Sequence, residues 1–420
     1  MSSRLAAPRL DRLSQALRTR VSIARALART EGLRLFLVGG AVRDLLLGRP
    51  VRDVDLVVEG DAAGFARALA GKLGGRVREH DRFATATLKL PGGSRLDVAS
   101  ARRESYSGPG ALPRVRPASI EEDLFRRDFT VNAMAMELAP AGRARLLDPF
   151  GGRRDLAARV LSFLHPRSPC DDPTRAFRAV RYANRLGFRV ALDAVGAIRR
   201  SIEAGAFVAV SGDRLWRELE LIFAETGRAD AVRRMSALGL ARVLGTGLAA
   251  DSRTLSRLRR AEALLNGGSV EGGGLLFLLV WAAGRSQGDL DRLADRLALA
   301  GAAGRSMRSW GRTWRGLGTL RKERRRSRIR RLAAGLSPAE IGALAAGLPR
   351  REAARLCDVA NRPVLLSIGG RDLVAAGVPA GPALGRALAE TLEAREDGMI
   401  GAREELDFAL RRARLRNRMP

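Results

Sequence analysis

The run LFLVGGAVRDLLLGRPVRDVDLVV, residues 35–58, limits this chain more than any other stretch of it. Its pattern predicts a short apolar strand at 35–38, a turn at Gly39-Gly40 and a short helix carrying Arg43 and Asp44. A second strand then opens with Asp53 and Asp55. Side chains at i and i+2 of a strand share a face, with Cα atoms about 6.5–7 Å apart. Two carboxylates so placed repel each other unless a cation lies between them. Glycines leave backbone N–H groups open to the close approach of an anion. Phosphate at the glycines and a metal at the aspartates are the materials of phosphoryl transfer.

The surrounding pattern predicts a small α/β unit from about 33 to 148. An alanine-rich helix is expected at 61–73, followed by strands at 76–79, 83–90 and 95–100, the last two joined by Pro91-Gly92-Gly93. Asp97, in RLDVAS, would lie on another strand of the same sheet. With Asp53 and Asp55 it makes a candidate set of three carboxylates for two Mg²⁺ ions about 3.5–4 Å apart. Beyond 155 almost no strand pattern remains, and apolar residues recur at helical spacing between glycine clusters near 267–274 and 367–370. At the N-terminus, Leu10, Leu13, Leu17, Val21 and Ala24 recur as on a docked helix. An Arg-rich transit peptide is the alternative reading of that segment.

Seventy-five Lys and Arg residues stand against 45 Asp and Glu, a net charge of +30. Such an excess suits a polyanionic partner, and nearly all of it is arginine, which contacts phosphates bidentately. Two cysteines and two histidines leave little for a zinc site or a Ser-His-Asp triad, so no zinc is expected. A reducing cytoplasm is the expected location. The longest apolar run, 275–283, is too short to span a bilayer, so no membrane association is expected.

Further along, DLFRRDFTVNAMAMEL (123–138) sets Arg126 and Arg127 before Asp128, a charge cluster beside a core segment. DDPTRAFRAVRYANRLGF (171–188) reads as a helix with Asp171 or Asp172 as its cap and Pro173 as its first residue. At about 100° per residue, Arg175, Arg178, Tyr182 and Arg185 share one side and Ala176, Val180 and Ala183 the other, with Arg181 at the margin. This helix is expected to turn its guanidiniums outward. The segment 101–123, rich in Gly and Pro, suits a mobile lid. SGDRLWRELELIF (211–223) reads as a capped helix in which Arg214 and Glu218 form an i,i+4 pair. In 305–331, Trp310 and Trp314 interleave with many arginines; a solvated helix face over two core tryptophans and a surface tracking an RNA backbone both fit.

GGAVRD followed by D-x-D, then RRDFTVNAMA, DPFGGRRDL and DDPTRAFRAVRYANR, in this order, resemble the tRNA nucleotidyltransferase/poly(A) polymerase family. More narrowly they resemble its class II, bacterial-type CCA-adding enzymes. The resemblance is dense over 35–225. It returns at 364–388, where LLSIGGRDLVAAGVPAGPALGRAL is similar to a tail segment of many bacterial members and could bring backbone amides to phosphate.

The resemblance implies an α+β chain: a polymerase-β-type nucleotidyltransferase head with a mixed or antiparallel sheet, then an all-α neck, body and tail. The expected divisions are an N-terminal helix at 1–32, the head at 33–148, the neck with its base-recognition helix at 149–225, the body at 226–350 and a tRNA-binding tail at 351–420. It implies Asp53 and Asp55 as catalytic metal ligands with Asp97 beside them, and Mg²⁺ as the cofactor. Gly39, Gly40, Arg43 and Arg127 would contact the nucleotide. Asp172 and Arg175 would read the base, with Arg178 and Arg181 binding phosphate or stabilising the site.

Cytosine and adenine each place an amino donor beside a ring-nitrogen acceptor, which an aspartate and an arginine complement. Uracil and guanine present the opposite order, and each failed contact would cost about 1–3 kcal/mol. The expected reaction is template-independent addition of CMP and AMP, from CTP and ATP, to the tRNA 3′ end, recognised by shape and 2′-hydroxyls. In the family, the 101–123 region influences the passage from C to A addition, and the PGALP version resembles lineages that divide the work between two enzymes. A CC-only or A-only enzyme and a poly(A) polymerase are therefore alternatives on the same head. A non-catalytic RNA-binding protein is the alternative from another class.

Overall fold

The computed structural model describes residues 9–80, 83–111, 113–138, 144–245 and 248–416. The parts of the expected N-terminal helix and tail at 1–8 and 417–420 lie outside them, as does position 112 of the expected lid.

Apolar strands from both ends of the head assemble one mixed sheet. The strands are β1 (Arg34–Val38), β2 (Asp55–Glu59), β3 (Arg76–His80), β4 (Thr85–Lys89), β5 (Arg95–Ser100), β6 (Arg102–Ser105), β7 (Arg114–Pro117), β8 (Ala135–Glu137) and β9 (Arg145–Leu147). Seven of them run in the order β3-β4-β5-β2-β1-β8-β9. Only β2 and β5 pair in parallel; β1 is antiparallel to β2 and β8, and β4 to β3 and β5. Alternation gives this sheet two different faces. Leu35, Leu37, Leu56, Val58, Leu88, Leu96 and Val98 are buried on one of them. Helices α1 (Gln15–Thr30) and α3 (Ala62–Leu73) pack there, α1 burying Leu17, Val21 and Ala24 as its periodicity predicted, and Leu27 besides. Phe36, Val38 and Val57 point the other way and pack with Ile120 and Leu124. Those two belong to α4 (Ile120–Phe125), whose start is fixed by a reciprocal Ser119–Glu122 capping box. Asp55 and Asp97 are on that second face, where α4 does not cover it.

One expectation is corrected here. The second strand begins at Asp55, so Asp53 lies before it and outside the two-residue alternation. The segment expected as a mobile lid contains an antiparallel ribbon of β6 and β7.

The head leads through α5 (Gly152–Ala158), β10 (Val160–Leu161) and α6 (Ser168–Asp171) into α7 (Thr174–Leu186). After β11 (Arg189–Val190) come α8 (Leu192–Glu203) and α9 (Gly212–Phe223). The parallel pair β10–β11 is the short strand structure that helical spacing concealed. The chain divides into two compact units. One holds the residues through Glu218 with Ala237–Val243; the other holds Leu219–Ser236 with Leu244–Pro420. Among the described residues of the second unit, the regular structure is all helical. Trp281, Trp310 and Phe277 are fully buried there, and Leu373, Val378, Ala387, Ala409 and Ala413 form a separate small core. The rings of Trp310 and the half-buried Trp314 lie 5.5 Å apart, tilted by 49°, so the two tryptophans of the Arg-rich stretch pack on each other. Its arginines at 305, 308, 312, 315, 321, 324, 325, 328 and 331 are exposed. No described helix is long and apolar enough to cross a membrane.

Candidate functional site

Register sets the first part of the site. Asp55 and Asp97 are directly paired residues of neighbouring parallel strands, about 4.8 Å apart across the ladder, so both carboxylates rise from the same face. Thr87, opposite Asp97 on β4, donates its hydroxyl to Asp97 Oδ1 at 2.6 Å. Asp55, Asp97, Thr85, Thr87, Val38 and Arg127 line a cavity of about 330 Å³. Asp55 is exposed at the start of β2 and lines this cavity. Lost hydration pushes it above the ordinary carboxylate range, Arg127 opposes, and the charges of Asp97 and Asp53 push it further up.

Mutual repulsion of this kind, in a set of hard oxygen donors, is what a divalent cation relieves, so the residues present fit Mg²⁺ or a similar ion. Asp55 and Asp97 would hold it, with Asp53 nearby. Among the described residues no three carboxylate, histidine or cysteine side chains converge into a ready-made metal cluster, so the expected three-ligand set is not preassembled. Asp53 is exposed in the stretch leading into β2.

The glycine turn has a more specific task than expected. Gly39 sits at φ +67° and ψ −126°, which an L side chain rarely adopts. A Cβ there would stand 2.9 Å from Arg127 Nη1. Gly40 has neither feature; a Cβ on it would meet Arg43 at 3.5 Å, ordinary contact. Gly39 thus lets the Arg127 guanidinium lie against the backbone, and Asp123 fixes that guanidinium from the far side with Nη2 to Oδ2 at 2.9 Å. Asp123 is fully buried and also takes Arg126. Burial pushes its carboxyl up, but Arg127 and Arg126 together outweigh this and hold it below the ordinary range. Gly39→Ala should therefore cost about 1–3 kcal/mol in backbone strain and displace Arg127 as well. Calorimetric nucleotide affinity, falling along with thermal stability, is the measurement that checks it.

Arg43 departs from its expectation of contacting a triphosphate. It begins on α2 (Gly40–Leu46), is 4% exposed, and is committed on all sides. Its Nε and Nη2 hold both oxygens of Asp44 at 2.9 and 3.0 Å, and Nη1 donates to Asn132 Oδ1 at 2.7 Å. The Tyr182 ring lies 5.6 Å from its guanidinium carbon. A side chain so engaged ties α2 to the 130–132 turn and to α7.

The second cavity, about 320 Å³, is lined by Asp172, Arg175, Arg178, Arg126, Arg127 and Arg214 together with Tyr106, Glu104 and Asp128. The expected base-reading couple is therefore together in one recess. The orientation of α7 differs from the expectation. Arg175 is 4% exposed, and it donates to Ser168 Oγ at 2.7 Å, the Arg126 carbonyl at 2.8 Å and the Tyr106 hydroxyl at 3.3 Å. Arg178 spans Asp128, Asp172 and Glu218 at 3.0, 3.0 and 3.4 Å. Arg175 and Arg178 point into the protein because hydroxyl and carbonyl acceptors wait for the one and carboxylates for the other, which no single-helix projection can reveal, whereas Arg185 is exposed as expected. Arg181 borders neither cavity; it stacks over Tyr182 at 5.1 Å and approaches Glu218 at 4.0 Å. Pro173 caps α7 by position, while Asp172 accepts from Thr174 N at 3.1 Å and its hydroxyl at 2.7 Å. Burial pushes the Asp172 carboxyl up, but Arg178, Thr174 and Arg214 win and hold it below its usual range.

Sequence reasoning missed Tyr106 and Glu104, because a loop reading of 101–123 gave neither a side. The E-x-Y spacing at the end of β6 was the available signal. Helical spacing pairs Arg214 with Glu218, whereas the structure sends each to α7 or its lead-in, Arg214 to Asp172 at 2.8 Å and Glu218 to Arg178.

The family described as the Poly A polymerase head domain matches residues 35–162. An A-adding tRNA nucleotidyltransferase of Geobacter sulfurreducens is 36% identical over 400 residues, 91% of this chain and 45% of that protein. This chain spans about half the length, or less, of the A-adding relatives it matches. A CC-adding tRNA nucleotidyltransferase of Deinococcus radiodurans is 34% identical over 90% of this chain and 88% of its own. The Thermotoga maritima CCA-adding enzyme complexed with tRNA_CCA superposes with a TM-score of 0.80 at 28% identity, covering 96% of this chain and 97% of that one. Agreement that continues past the head along nine-tenths of both sequences is more than a shared catalytic module: the chain belongs to the bacterial tRNA nucleotidyltransferases, the family of the CCA-adding enzymes.

Proposed function

We propose that this protein adds CMP and AMP to the 3′ end of tRNA, taking CTP and ATP and releasing pyrophosphate, without a nucleic-acid template. One observation carries the reading: Arg127 borders both the carboxylate cavity and the Asp172–Arg175 cavity. A nucleotide with its base at Asp172 and Arg175 and its phosphates toward Asp55 would have that guanidinium along its length.

The acceptor's 3′-hydroxyl oxygen attacks the α-phosphorus in line, the bond to the β-phosphate oxygen breaks, and the hydroxyl proton leaves to solvent. A divalent cation, when bound by Asp55 and Asp97 with Asp53 near, would acidify that hydroxyl and offset phosphate charge. The chain's own residues position the reactants: Gly39 seats Arg127, and Asp123 orients it. At the base, an aspartate accepting from an amino group and an arginine donating to a ring nitrogen select cytosine and adenine. Asp172 already holds four donors and Arg175 three acceptors, so the base must displace some of these contacts. Arg175 Nε is buried without a partner, a donor that a ring nitrogen would satisfy. The exposed basic face of the second unit suits an RNA backbone.

An A-only activity is the second reading, favoured by the A-adding relatives at 36–45% identity. The deciding assay supplies Mg²⁺ and labelled CTP and ATP to tRNAs ending at the discriminator base, at C and at CC. Short additions that stop at CCA from every start support the full activity. Addition to the CC end alone supports the A-only reading. Long A tracts on unrelated RNA, or no incorporation, overturn both. Arg175→Ala should raise UTP and GTP misincorporation about tenfold or more, read as the ratio of kcat/KM values, since each lost base contact is worth about 1–3 kcal/mol.

A further inference from the structure

Beside the base cavity lies a second recess, about 480 Å³, on the other side of Tyr106, Arg126 and Arg175. Its character is different. Phe125 keeps 48% of its surface exposed, an unusual exposure for a phenyl ring on a helix whose neighbours Ile120 and Leu124 are fully buried. The ring is the middle of an aromatic row: His165 stacks on it at 5.4 Å and 29°, and Phe150 tilts against it at 5.6 Å. Burial, with Arg175 and Arg167 nearby, lowers the His165 pKa against the pull of Asp171, which favours the neutral imidazole. The recess offers flat, uncharged π surface beside hydrogen-bond acceptors, since Glu121, Glu122 and Asp171 also line it. Three arginines line it as well: Arg103, 3.6 Å from Glu122, and Arg126 and Arg175 of the wall shared with the base cavity.

We propose that this recess holds a nucleobase of the acceptor RNA's unpaired 3′ tail, stacked on Phe125, with its exocyclic amino group toward the acidic rim. The inference rests on the tRNA reading above and adds a place for the acceptor strand next to the incoming base. Stacking on an aromatic ring is tolerant of sequence because every base has a π face. The carboxylates add a preference for cytosine or adenine over uracil, which has no amino group to donate. The Tyr106–Arg126–Arg175 wall is shared by both cavities, so acceptor base and incoming base would lie on its two sides.

The test uses the full-length protein and tRNA carrying a single 2-aminopurine, at the last position in one sample and the penultimate in another, with no nucleotide present. Wild-type protein is expected to quench one of the two probes. Phe125→Ala should weaken that quenching and raise the RNA Kd about tenfold, with Phe125→Trp restoring both. Nucleotide affinity of Phe125→Ala should change far less than its RNA Kd. A tRNA with U at the quenched position should bind several-fold more weakly than one with C there, a difference that Phe125→Ala keeps and Glu121→Gln reduces. Equal quenching by wild type and Phe125→Ala, or none at either position, overturns the proposal while leaving the incorporation assay to judge the tRNA reading. If wild-type protein binds the RNA but incorporates no nucleotide, the enzymatic reading falls, and the quenching result still decides whether the recess takes a base.

Discussion

Asp55→Asn is expected to abolish nucleotide incorporation, by at least a thousandfold, without lowering the protein's stability. The two effects have one cause. Asp55 is placed where ionisation is unfavourable in the metal-free protein: it is partly desolvated, and Asp97 and Asp53 repel it. A carboxyl whose folded pKa is raised contributes fully to stability below its unfolded value near about 4, and that contribution is lost as pH rises through the folded pKa. At neutral pH the native Asp55 therefore works against the fold, and the neutral amide of similar shape removes that penalty. The hard anionic oxygens that would hold a divalent cation disappear with it. Melting in EDTA should give Asp55→Asn a Tm equal to or above the wild type, while RNA affinity stays within about twofold. A variant that melts lower and still incorporates nucleotide would show Asp55 to be a structural residue of β2.

The head sheet was legible because its strands are short, apolar and punctuated by glycine and proline. Each expected strand from 35 to 100 is present, within two residues of its predicted ends, and that small shift is enough to leave Asp53 outside β2. Asp53 escapes the strand reading because Val54 between two aspartates mimics alternation, and only the pairing of Val38 with Asp55 shows where the ladder begins. The couple Asp172–Arg175 could be read from its spacing around Pro173, although Asp172 lies in the extended lead-in and not on α7 itself. What it faces could not. Arg175 meets Tyr106 from 69 positions upstream and the Arg126 carbonyl from 49, and Arg43 meets Asn132 from 89 positions downstream. Charge patterning along a segment predicts an outward face by default. Only long-range carboxylate and carbonyl partners make burial of a guanidinium tolerable. Residue type alone assigns Arg43 and Arg175 to ligand, and both are held on several sides before any ligand arrives.

Arg178→Met should be the most destabilising of the single substitutions in the charged network, by about 3–5 kcal/mol, because it removes the side chain that touches all three of Asp128, Asp172 and Glu218. Methionine fills much of the volume, so the loss is chiefly electrostatic. Asp172 keeps Arg214, and Glu218 keeps the 4.0 Å approach of Arg181. Burial already pushes the Glu218 carboxyl above its ordinary range despite Arg178 and Arg181, so removing Arg178 should push it further up. The pH dependence then reverses. In the wild type, Asp172 and Asp123 have lowered folded pKa values, so their contribution is complete above about 4 and is lost as pH falls through those folded values. In Arg178→Met, the stranded carboxylates have raised values, and lowering the pH from about 8 to about 5 should return part of the lost stability. Adding Glu218→Gln to the variant should recover some of it without acid, since the amide removes one unpaired charge. Chemical denaturation at several pH values, following the transition of the unit that contains α7, reads all three effects. If the variant loses stability on acidification in parallel with the wild type, the three carboxylates do not depend on Arg178, and the base cavity is held together by Arg214 and the Thr174 cap alone.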